Sequence, residues 1–351
     1  MTFPPEDEGQ LPVRFARLHP DMQKPSYHSP ASRDKICAFV PNLRRREAAE
    51  WMIFMPDTRS AFIAIVGCPN AGKSSLLNHI LGQKVSIVSS RPQTTRTRIT
   101  GVLTEKNSQF VFIDTPGLHL PKNQLGSSMV KAVADGMADV DSAVLVTEPR
   151  GHLMPAEEEL MKKFRTKKIP AVLAINKIDT LKNKQDLLEI IARFQEAFPF
   201  AAAVPLCALT GEGVPALMDE LRAFLQPGPF YFEENMLTDQ PERVIAAELL
   251  REKLLSLLEK EVPHGIAVFV EQMKERGDSD ILDISCTIFC EKESHKGIVI
   301  GKKGALLKRA STLAREDMER FFGCRVNLQT WVKVKEDWRN RAGIIHSLGL
   351  D

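Results

Sequence analysis

The sequence predicts an α/β domain, built on a mostly parallel sheet with helices on both faces, followed by a smaller α+β domain. The chain has 351 residues, which is more than one typical domain holds. From residue 61 to about residue 225, short apolar runs alternate with stretches of helical periodicity, as they do in parallel α/β sheets. Residues 227–241 interrupt this alternation with three prolines and therefore predict an interdomain linker.

Buried strands and helices are expected in turn along the first domain. The predicted strands are 61–66, 110–113, 142–147, 171–175 and 204–207. The predicted helices are 73–82, 126–138, 155–165, 184–197 and 213–225. The second domain is expected to contain an amphipathic helix at 242–260, strands at 264–273 and 280–290, a short apolar run at 297–300, a helix ending near Phe322 and a last strand at Arg325–Val334.

Residues 1–57 show no sustained periodicity and combine prolines with the acidic cluster Glu6–Glu8 and the basic run Arg44–Arg46. A disordered extension is expected here. A transit peptide is disfavoured because such peptides avoid acidic residues, and translation from Met52 or Met55 is a further interpretation. The predicted organisation is therefore an extension (1–57), an α/β domain (58–226), a linker (227–241) and an α+β domain (242–351).

Composition excludes several classes of protein. Apolar residues make up 43% and charged residues 26%, which is typical of a soluble globular chain. No stretch approaches the roughly 20 apolar residues of a membrane-spanning helix, so any membrane contact would be peripheral. The net charge of +2 is uninformative, but basic residues outnumber acidic ones between Lys296 and Arg341. The six cysteines form no C-x-x-C pair, which favours free thiols in a reducing cytosol.

A phosphate-binding loop follows the first predicted strand and opens the first helix. It consists of Gly67, Cys68, Pro69, Asn70, Ala71, Gly72, Lys73 and Ser74, and it matches G-x-x-x-x-G-K-[ST]. The loop N–H groups and the helix N-terminus, beginning at Ser75, can surround phosphate oxygens. Lys73 is expected to reach the β- and γ-phosphates, and the Ser74 hydroxyl is expected to bind Mg²⁺.

Three further segments end later strands in the order that a nucleotide site requires. The first segment is Asp114, Thr115, Pro116 and Gly117. Its Asp114 carboxylate can hold Mg²⁺, and its Gly117 N–H can contact the γ-phosphate. The base is specified by the segment Asn176, Lys177, Ile178 and Asp179. The Asp179 carboxylate can accept hydrogen bonds from guanine N1–H and from the N2 amine, but it would be unpaired against adenine. Asn176 and Lys177 are expected to brace the loops and cover the ring. The loop of Cys207 and Ala208 is expected to donate an N–H to guanine O6.

These motifs, with Gln93-Thr94-Thr95-Arg96 and with Leu118-His119 after Gly117, resemble the Era family of bacterial GTPases from Phe62 to Leu348. The resemblance implies that a switch threonine joins the Mg²⁺ shell. Thr95 is the first choice, with Thr94 as the alternative. Lys73, Thr95 and Gly117 are then the catalytic residues, and Ser74, Thr95 and Asp114 are the metal ligands.

Two positions of the resemblance bear on catalysis. Leu118 stands where Ras-like enzymes carry a glutamine that orients the attacking water, so slow intrinsic turnover is expected. Asn70 matches an asparagine that in some relatives helps to bind K⁺ beside the phosphates. The implied ligands are GTP or GDP, Mg²⁺ and, as a further candidate, K⁺.

The second domain contains the tetrapeptide Gly301, Lys302, Lys303 and Gly304 between two predicted helices, and its element order resembles a type II KH domain. Such a loop clamps the backbone of single-stranded RNA. Candidate RNA-binding residues are Ile298, Ile300, the tetrapeptide itself, Lys308 and Arg309. An edge strand is predicted where Val332 and Val334 alternate with Lys333 and Lys335. Trp331 and Trp338 could stack on bases, although at least one is expected in the core.

The resemblance implies a monomeric, cytoplasmic GTP-hydrolysing switch that binds the 3′ end of 16S ribosomal RNA and assists assembly of the small ribosomal subunit. Two other functions fit the same residues. One is a nucleotide-gated RNA-binding module with negligible turnover, as the missing glutamine suggests. The other is a GTPase that acts on transfer RNA or at the membrane, where the family shows weak peripheral association.

Overall fold

The computed structural model describes residues 58–350 apart from 90, 92–93, 119–120, 122, 182, 184 and 278. The predicted N-terminal extension and two motif residues, Gln93 and His119, lie outside the described residues. Two sheets, each with its own core, divide the described chain into the two parts that the sequence predicts. Within these residues, no helix is both long enough and apolar enough to cross a membrane.

The first sheet has seven strands, six of them in the order β2-β3-β1-β4-β5-β6, and β7 pairs with β1. The strands are β1 (Arg59–Gly67), β2 (Ile99–Glu105), β3 (Ser108–Asp114), β4 (Ser142–Thr147), β5 (Ala171–Ile175), β6 (Ala202–Pro205) and β7 (Gln226–Pro227). The pairs β3-β1, β1-β4, β4-β5 and β5-β6 are parallel. This parallel arrangement brings the carboxyl ends of β1, β3, β5 and β6 to one edge of the sheet.

Five helices of the described chain cover this sheet. They are α1 (Lys73–Leu81), α2 (Gln124–Gly136), α3 (Pro155–Lys167), α4 (Asp186–Ala197) and α5 (Val214–Arg222). Leu76 and Leu77 of α1 and Leu217 of α5 belong to one buried cluster. Leu160 of α3 and Phe194 of α4 belong to a second cluster, which contains the alternate residues Ala64 and Val66 of β1. Side chains of β1 therefore point alternately into two cores, which explains its unbroken apolar sequence.

The sequence prediction missed two strands. β2 pairs antiparallel with β3 at the edge of the sheet, and its second half is only partly buried. Its polar residues and its glycine therefore resemble those of a loop. β7 pairs antiparallel with β1 through two residues, Gln226 and Pro227, which is too short to produce a pattern.

The segment predicted as a linker lies against the first sheet. Gln109, fully buried, accepts from the backbone N–H groups of Tyr231 and Phe232 at 2.8 and 3.1 Å. The Thr238 hydroxyl donates to the Thr100 carbonyl at 2.6 Å. These hydrogen bonds fix the path of the chain between the two domains.

The second domain places three helices against a three-stranded sheet. Its elements are α6 (Glu242–Leu257), β8 (Ala267–Glu275), β9 (Ile281–Cys290), α7 (Glu293–Ile300), α8 (Ala305–Phe322) and β10 (Arg325–Val334). The strand order is β10-β9-β8, with β10 parallel and β8 antiparallel to β9. β10 is therefore an edge strand, as predicted, with Lys333 exposed and Val332 and Val334 partly buried against the core.

The helix predicted at 242–260 is present, but the prediction that it is strongly amphipathic was wrong. α6 ends at Leu257, and its buried residues include Arg251 and Glu252 as well as apolar side chains. The reason is that α6 packs on its own sheet with one side and meets the first domain with the other. Its polar side is therefore an interface between domains rather than a solvated surface.

The last part of the chain joins the domains. The sequence did not predict α9 (Ala342–Ser347), which contacts α2. Trp338, fully buried, shares a cluster with Leu125 and Met129 of α2 and with Ile345 of α9. Its indole Nε1 donates to the Gly265 carbonyl at 2.9 Å. Trp331 is 46% exposed, so one of the two tryptophans is in the core, as expected.

Trp338→Phe is expected to destabilise the protein by about 1–3 kcal/mol, because the buried Gly265 carbonyl loses its donor. Trp331→Phe, the matched control on the exposed side of β10, is expected to stay within about 0.5 kcal/mol. Urea unfolding followed by far-ultraviolet circular dichroism measures both. Equal losses for the two variants would contradict a structural role specific to Trp338.

Candidate nucleotide site and RNA groove

The phosphate-binding loop connects β1 to α1 and surrounds the Lys73 side chain. The Lys73 ammonium donates to the carbonyls of Gly67 and Cys68 at 3.2 and 2.9 Å. Burial lowers the pKa of Lys73, an effect that the nearby Asp114 carboxylate partly opposes. The first turn of α1 faces the same loop, so backbone donors and a buried cation converge where phosphates would bind.

The three predicted metal ligands lie together beside this loop. The Ser74 hydroxyl donates to Asp114 Oδ2 at 2.7 Å and lies 3.0 Å from the Thr95 hydroxyl oxygen. The hydroxyl of Thr94 instead donates to the Arg91 carbonyl at 2.7 Å. This geometry favours Thr95 over Thr94 as the switch threonine.

Asp114 offers a free oxygen to a cation. Its Oδ1 is buried and has no hydrogen-bond partner within the described chain. Burial raises the pKa of Asp114, while Lys73 and the hydroxyls of Ser74 and Ser86 oppose this shift. Two hydroxyls and a carboxylate are the hard oxygen donors that Mg²⁺ prefers, so the residues fit this ion.

Ser86 belongs to this cluster although the sequence did not indicate it. Its hydroxyl, fully buried, donates to Asp114 Oδ2 at 3.0 Å. Ser86 lies in the irregular segment between α1 and β2, outside every recognised motif. No periodicity or spacing could have identified it, because its role depends on how this segment folds back.

The segment after β3 lies directly against the phosphate-binding loop. The Thr115 hydroxyl donates to the Ile65 carbonyl at 3.0 Å. A Cβ on Gly117 would come within 2.5 Å of the Pro69 nitrogen, so only glycine fits this approach. Leu118 is 8% exposed and belongs to the buried cluster that contains residues of β1 and α3. A leucine side chain has no donor or acceptor, so Leu118 cannot orient water by a hydrogen bond.

Asn176 joins two of the predicted nucleotide loops, as expected. Its Nδ2 donates to the Ala71 carbonyl at 2.8 Å, and its Oδ1 accepts from the Ala208 N–H at 2.9 Å. The Cys207 N–H donates to the Glu212 carbonyl at 2.9 Å. Because both N–H groups already have acceptors, the contact of this loop with guanine O6 stays a prediction.

Lys177 and Asp179 stand at the rim of the site. Lys177 forms an ion pair with Glu148, which follows β4 and which the sequence did not single out. Partial burial acts to raise the pKa of Glu148, but Lys177 and Arg150 outweigh this effect and lower it. The Asp179 side chain is exposed. Discrimination between bases requires a buried carboxylate, so the bound base itself must cover Asp179.

The cysteines of the described chain are free, as the composition suggested. Burial raises the pKa of Cys68, within the phosphate-binding loop, to about 11. Burial also raises the pKa of Cys286 to about 12. Both thiols are therefore protonated at neutral pH and poor nucleophiles.

A groove of about 370 Å³ opens in the second domain between α8 and β10. The side chains of Ser311 and Thr330 meet across it, with their hydroxyl oxygens 3.1 Å apart. Lys308 and Arg315 supply positive charge, and Leu307 and Leu328 supply apolar surface. This combination suits single-stranded RNA, whose bases need apolar contacts and whose phosphates need cations.

Two of the predicted RNA-binding residues, Gly304 and Lys308, line this groove. Lys302 and Lys303 are exposed in the short 3₁₀ turn between α7 and α8, and Arg309 is exposed on α8. Ile298 is 48% exposed, whereas its neighbour Val299 is buried in the core. The sequence analysis did not identify the groove residues of β10, because only the folded structure brings them next to α8.

Comparisons with known proteins match both domains. A family described as 50S ribosome-binding GTPase matches residues 62–177, and the KH domain family matches residues 261–339. The GTPase Era of Clostridioides difficile is 46% identical over 293 residues, which cover 84% of this chain and 99% of that protein. The GTPase Era of Alkaliphilus metalliredigens is 45% identical over the same shares of the two chains.

Two solved structures have the same architecture. A point variant of Aquifex aeolicus Era bound to GDP·AlF₄⁻ superposes with a TM-score of 0.81 at 36% identity. Era in complex with MgGDPNP and nucleotides 1506–1542 of 16S ribosomal RNA superposes with a TM-score of 0.80 at 37% identity. Each match covers 84% of this chain and 99% of the solved chain. The predicted fold, a P-loop GTPase domain followed by a KH domain, is confirmed.

Asp179→Asn is expected to weaken GTP binding by roughly 100-fold and to favour xanthosine triphosphate, because an amide can donate to the O2 of xanthine. Competition binding with the two nucleotides measures the change. Asp139→Asn is the matched control, since Asp139 is exposed at the opposite edge of the sheet with φ 57°, which asparagine tolerates. Unchanged preference in Asp179→Asn would contradict the assignment of the base.

Proposed function

Since this chain belongs to the Era family of GTPases, we propose that it couples GTP hydrolysis to binding of the 3′ end of 16S ribosomal RNA during assembly of the small ribosomal subunit. The observation that carries this proposal is the presence of both sites in one chain, with a phosphate and metal cluster in the first domain and an apolar, basic groove in the second. A relative bound to MgGDPNP and nucleotides 1506–1542 of this RNA supports it. We propose that the protein acts as a cytoplasmic monomer.

The reaction converts GTP and water to GDP and phosphate. Ser74, Thr95 and Asp114 would hold Mg²⁺, which neutralises charge that develops on the phosphate oxygens. Lys73 places its ammonium at the β- and γ-phosphates, and the Gly117 N–H senses the γ-phosphate. The buried Lys73 gains a partner when the anionic phosphates arrive, which stabilises the bound state.

A monovalent cation is a further part of the proposal. Asn70 adopts φ 64° at the turn of the phosphate-binding loop, between the apolar residues Pro69 and Ala71. Its position at this turn is compatible with a K⁺ ion beside the phosphates. Because a leucine, Leu118, stands at the position of the usual water-orienting side chain, an added cation would compensate for part of that loss.

Single-turnover GTP hydrolysis, with and without an RNA that spans nucleotides 1506–1542, tests the function. Slow hydrolysis is expected from the protein alone, with acceleration of at least about tenfold on adding the RNA. In the same assay, Na⁺ in place of K⁺ is expected to slow the reaction, and equal rates would remove K⁺ from the proposal. No hydrolysis above the rate in water, with or without RNA, would instead favour a nucleotide-gated binding module.

The tetrapeptide from Gly301 to Gly304 is called the KH loop below. Removing the charges of its two lysines is expected to weaken RNA binding by roughly tenfold, because two phosphate contacts lose their cations. The variant is Lys302→Gln with Lys303→Gln. Gly301 is less suitable, since φ is +73° and an added Cβ would lie 2.7 Å from the Leu306 Cβ, which would distort the loop. Fluorescence anisotropy with labelled RNA at fixed salt measures the affinity, and GTP binding should be unchanged.

Lys167→Gln with Lys168→Gln is the matched control for this change. Both pairs are consecutive exposed lysines, and the second residue has φ 55° in the control and φ 51° in the KH loop. The control pair ends α3 in the GTPase domain. Equal weakening by both double variants would mean that RNA binding follows total charge rather than this loop.

A further inference from the structure

Several described residues between Lys84 and Arg96, the stretch that contains Thr95, contact the KH domain. Glu252 of α6 pairs with Lys84 and accepts from the Val88 N–H at 2.9 Å. Arg91 donates to the Leu258 carbonyl, just beyond α6, at 2.9 Å. Thr95 therefore lies in the GTPase domain by sequence, while residues on the same stretch of chain contact the RNA-binding domain.

Arg251 of α6 reaches the residue beside Thr95. Its Nη2 donates to the Thr94 carbonyl and to Glu248 Oε2, while its Nε donates to Glu248 Oε1 at 2.7 Å. The Arg251 side chain is 2% exposed, so water has little access to take the place of the Thr94 carbonyl as its acceptor. The two-point contact with Glu248 fixes the plane of the guanidinium and hence the direction in which it meets the Thr94 carbonyl.

Arg96 secures the other side of Thr95. Its guanidinium donates to the carbonyls of Ile266 and His264 at 2.7 and 3.2 Å and lies 5.5 Å from the centre of the Trp338 ring. Burial, and then the charge of Arg251, lowers the pKa of Arg96 to about 9, so it stays a cation at neutral pH. Both neighbours of Thr95 are thus tied to the second domain by buried arginines.

We propose that Arg251 is a positioning residue for GTP hydrolysis, which acts from the KH domain by holding the Thr94 carbonyl so that the Thr95 hydroxyl faces Ser74 and Asp114. The Thr94 carbonyl belongs to the peptide unit that joins Thr94 to Thr95, so its direction constrains the backbone that carries the hydroxyl. The result is the 3.0 Å approach of the Thr95 and Ser74 hydroxyl oxygens. This inference rests on the proposed role of Thr95 in the metal shell.

The position of α6 makes the contact sensitive to the RNA-binding domain. α6 packs on α8, the helix that begins at the KH loop and lines the RNA groove. Asp317 of α8 accepts from Lys84 at 2.9 Å, so the same segment also touches the groove helix directly. A shift of α8 or α6 on RNA binding would therefore reach Thr95 through Arg251.

The test measures single-turnover GTP hydrolysis and its Mg²⁺ dependence in the full-length Arg251→Gln variant. We expect hydrolysis to slow by roughly 10- to 100-fold at saturating GTP, with little change in GDP affinity. The Mg²⁺ concentration for half-maximal rate is expected to rise by roughly tenfold, because the metal shell loses the support of a positioned ligand. Arg251→Lys, which keeps the charge, is expected to recover part of the rate.

Arg243→Gln is the matched control, since Arg243 is exposed on the same helix. A double-mutant cycle with Thr95→Ala isolates the pathway. If Arg251 acts through Thr95, adding Arg251→Gln to Thr95→Ala slows hydrolysis no further. An Arg251→Gln rate equal to that of Arg243→Gln, or additive losses in the cycle, would overturn the inference.

The proposed function fails in a distinguishable way. An unaffected Thr95→Ala variant would remove Thr95 from the metal shell, and the inference would fall with that assignment. A slow Thr95→Ala variant beside a normal Arg251→Gln variant would leave the proposed function intact and refute only the role of Arg251. GDP binding reports folding in each variant, and Arg251→Lys replaces Arg251→Gln in the cycle if the latter does not fold.

Discussion

The nucleotide site depends on two opposite charges that are both buried. Burial lowers the pKa of Lys73 and raises that of Asp114, so each side chain is held where its charged form is disfavoured. Their mutual attraction compensates only in part. In the proposed function, a phosphate and a divalent cation would supply charged partners to the two side chains, which β1 and β3 bring together as parallel neighbours.

The sequence predicted what depends on local patterns. Buried strands such as β4 and β5 have unbroken apolar runs, and their predicted and observed bounds agree. Motif residues such as Ser74 and Asn176 were identified because their chemistry requires fixed spacing. Edge strand β2, by contrast, is buried only in its first half, and Ser86 and Glu148 acquire partners only through tertiary folding. No local pattern marks residues of that kind.

The error at α6 shows how an interface appears in sequence. Arg251 and Glu252 follow each other on a helix that otherwise has an apolar face, and such charged residues normally mark solvent. In the structure each is less than 9% exposed because the first domain supplies carbonyl, N–H and ammonium partners. Buried charges that are paired across a domain boundary favour one relative placement of the domains, since few other arrangements would pair them.

The two described tryptophans stand in opposite surroundings. Trp338 is sealed between α2 and α9, with the Arg96 guanidinium over its ring. Trp331 is nearly half exposed on the edge strand that borders the groove between α8 and β10. Indole emission shifts to longer wavelength as its surroundings become more polar. The two described tryptophans are thus native fluorophores in different surroundings, one placed to sense separation of the domains and one placed to sense the approach of a ligand to β10.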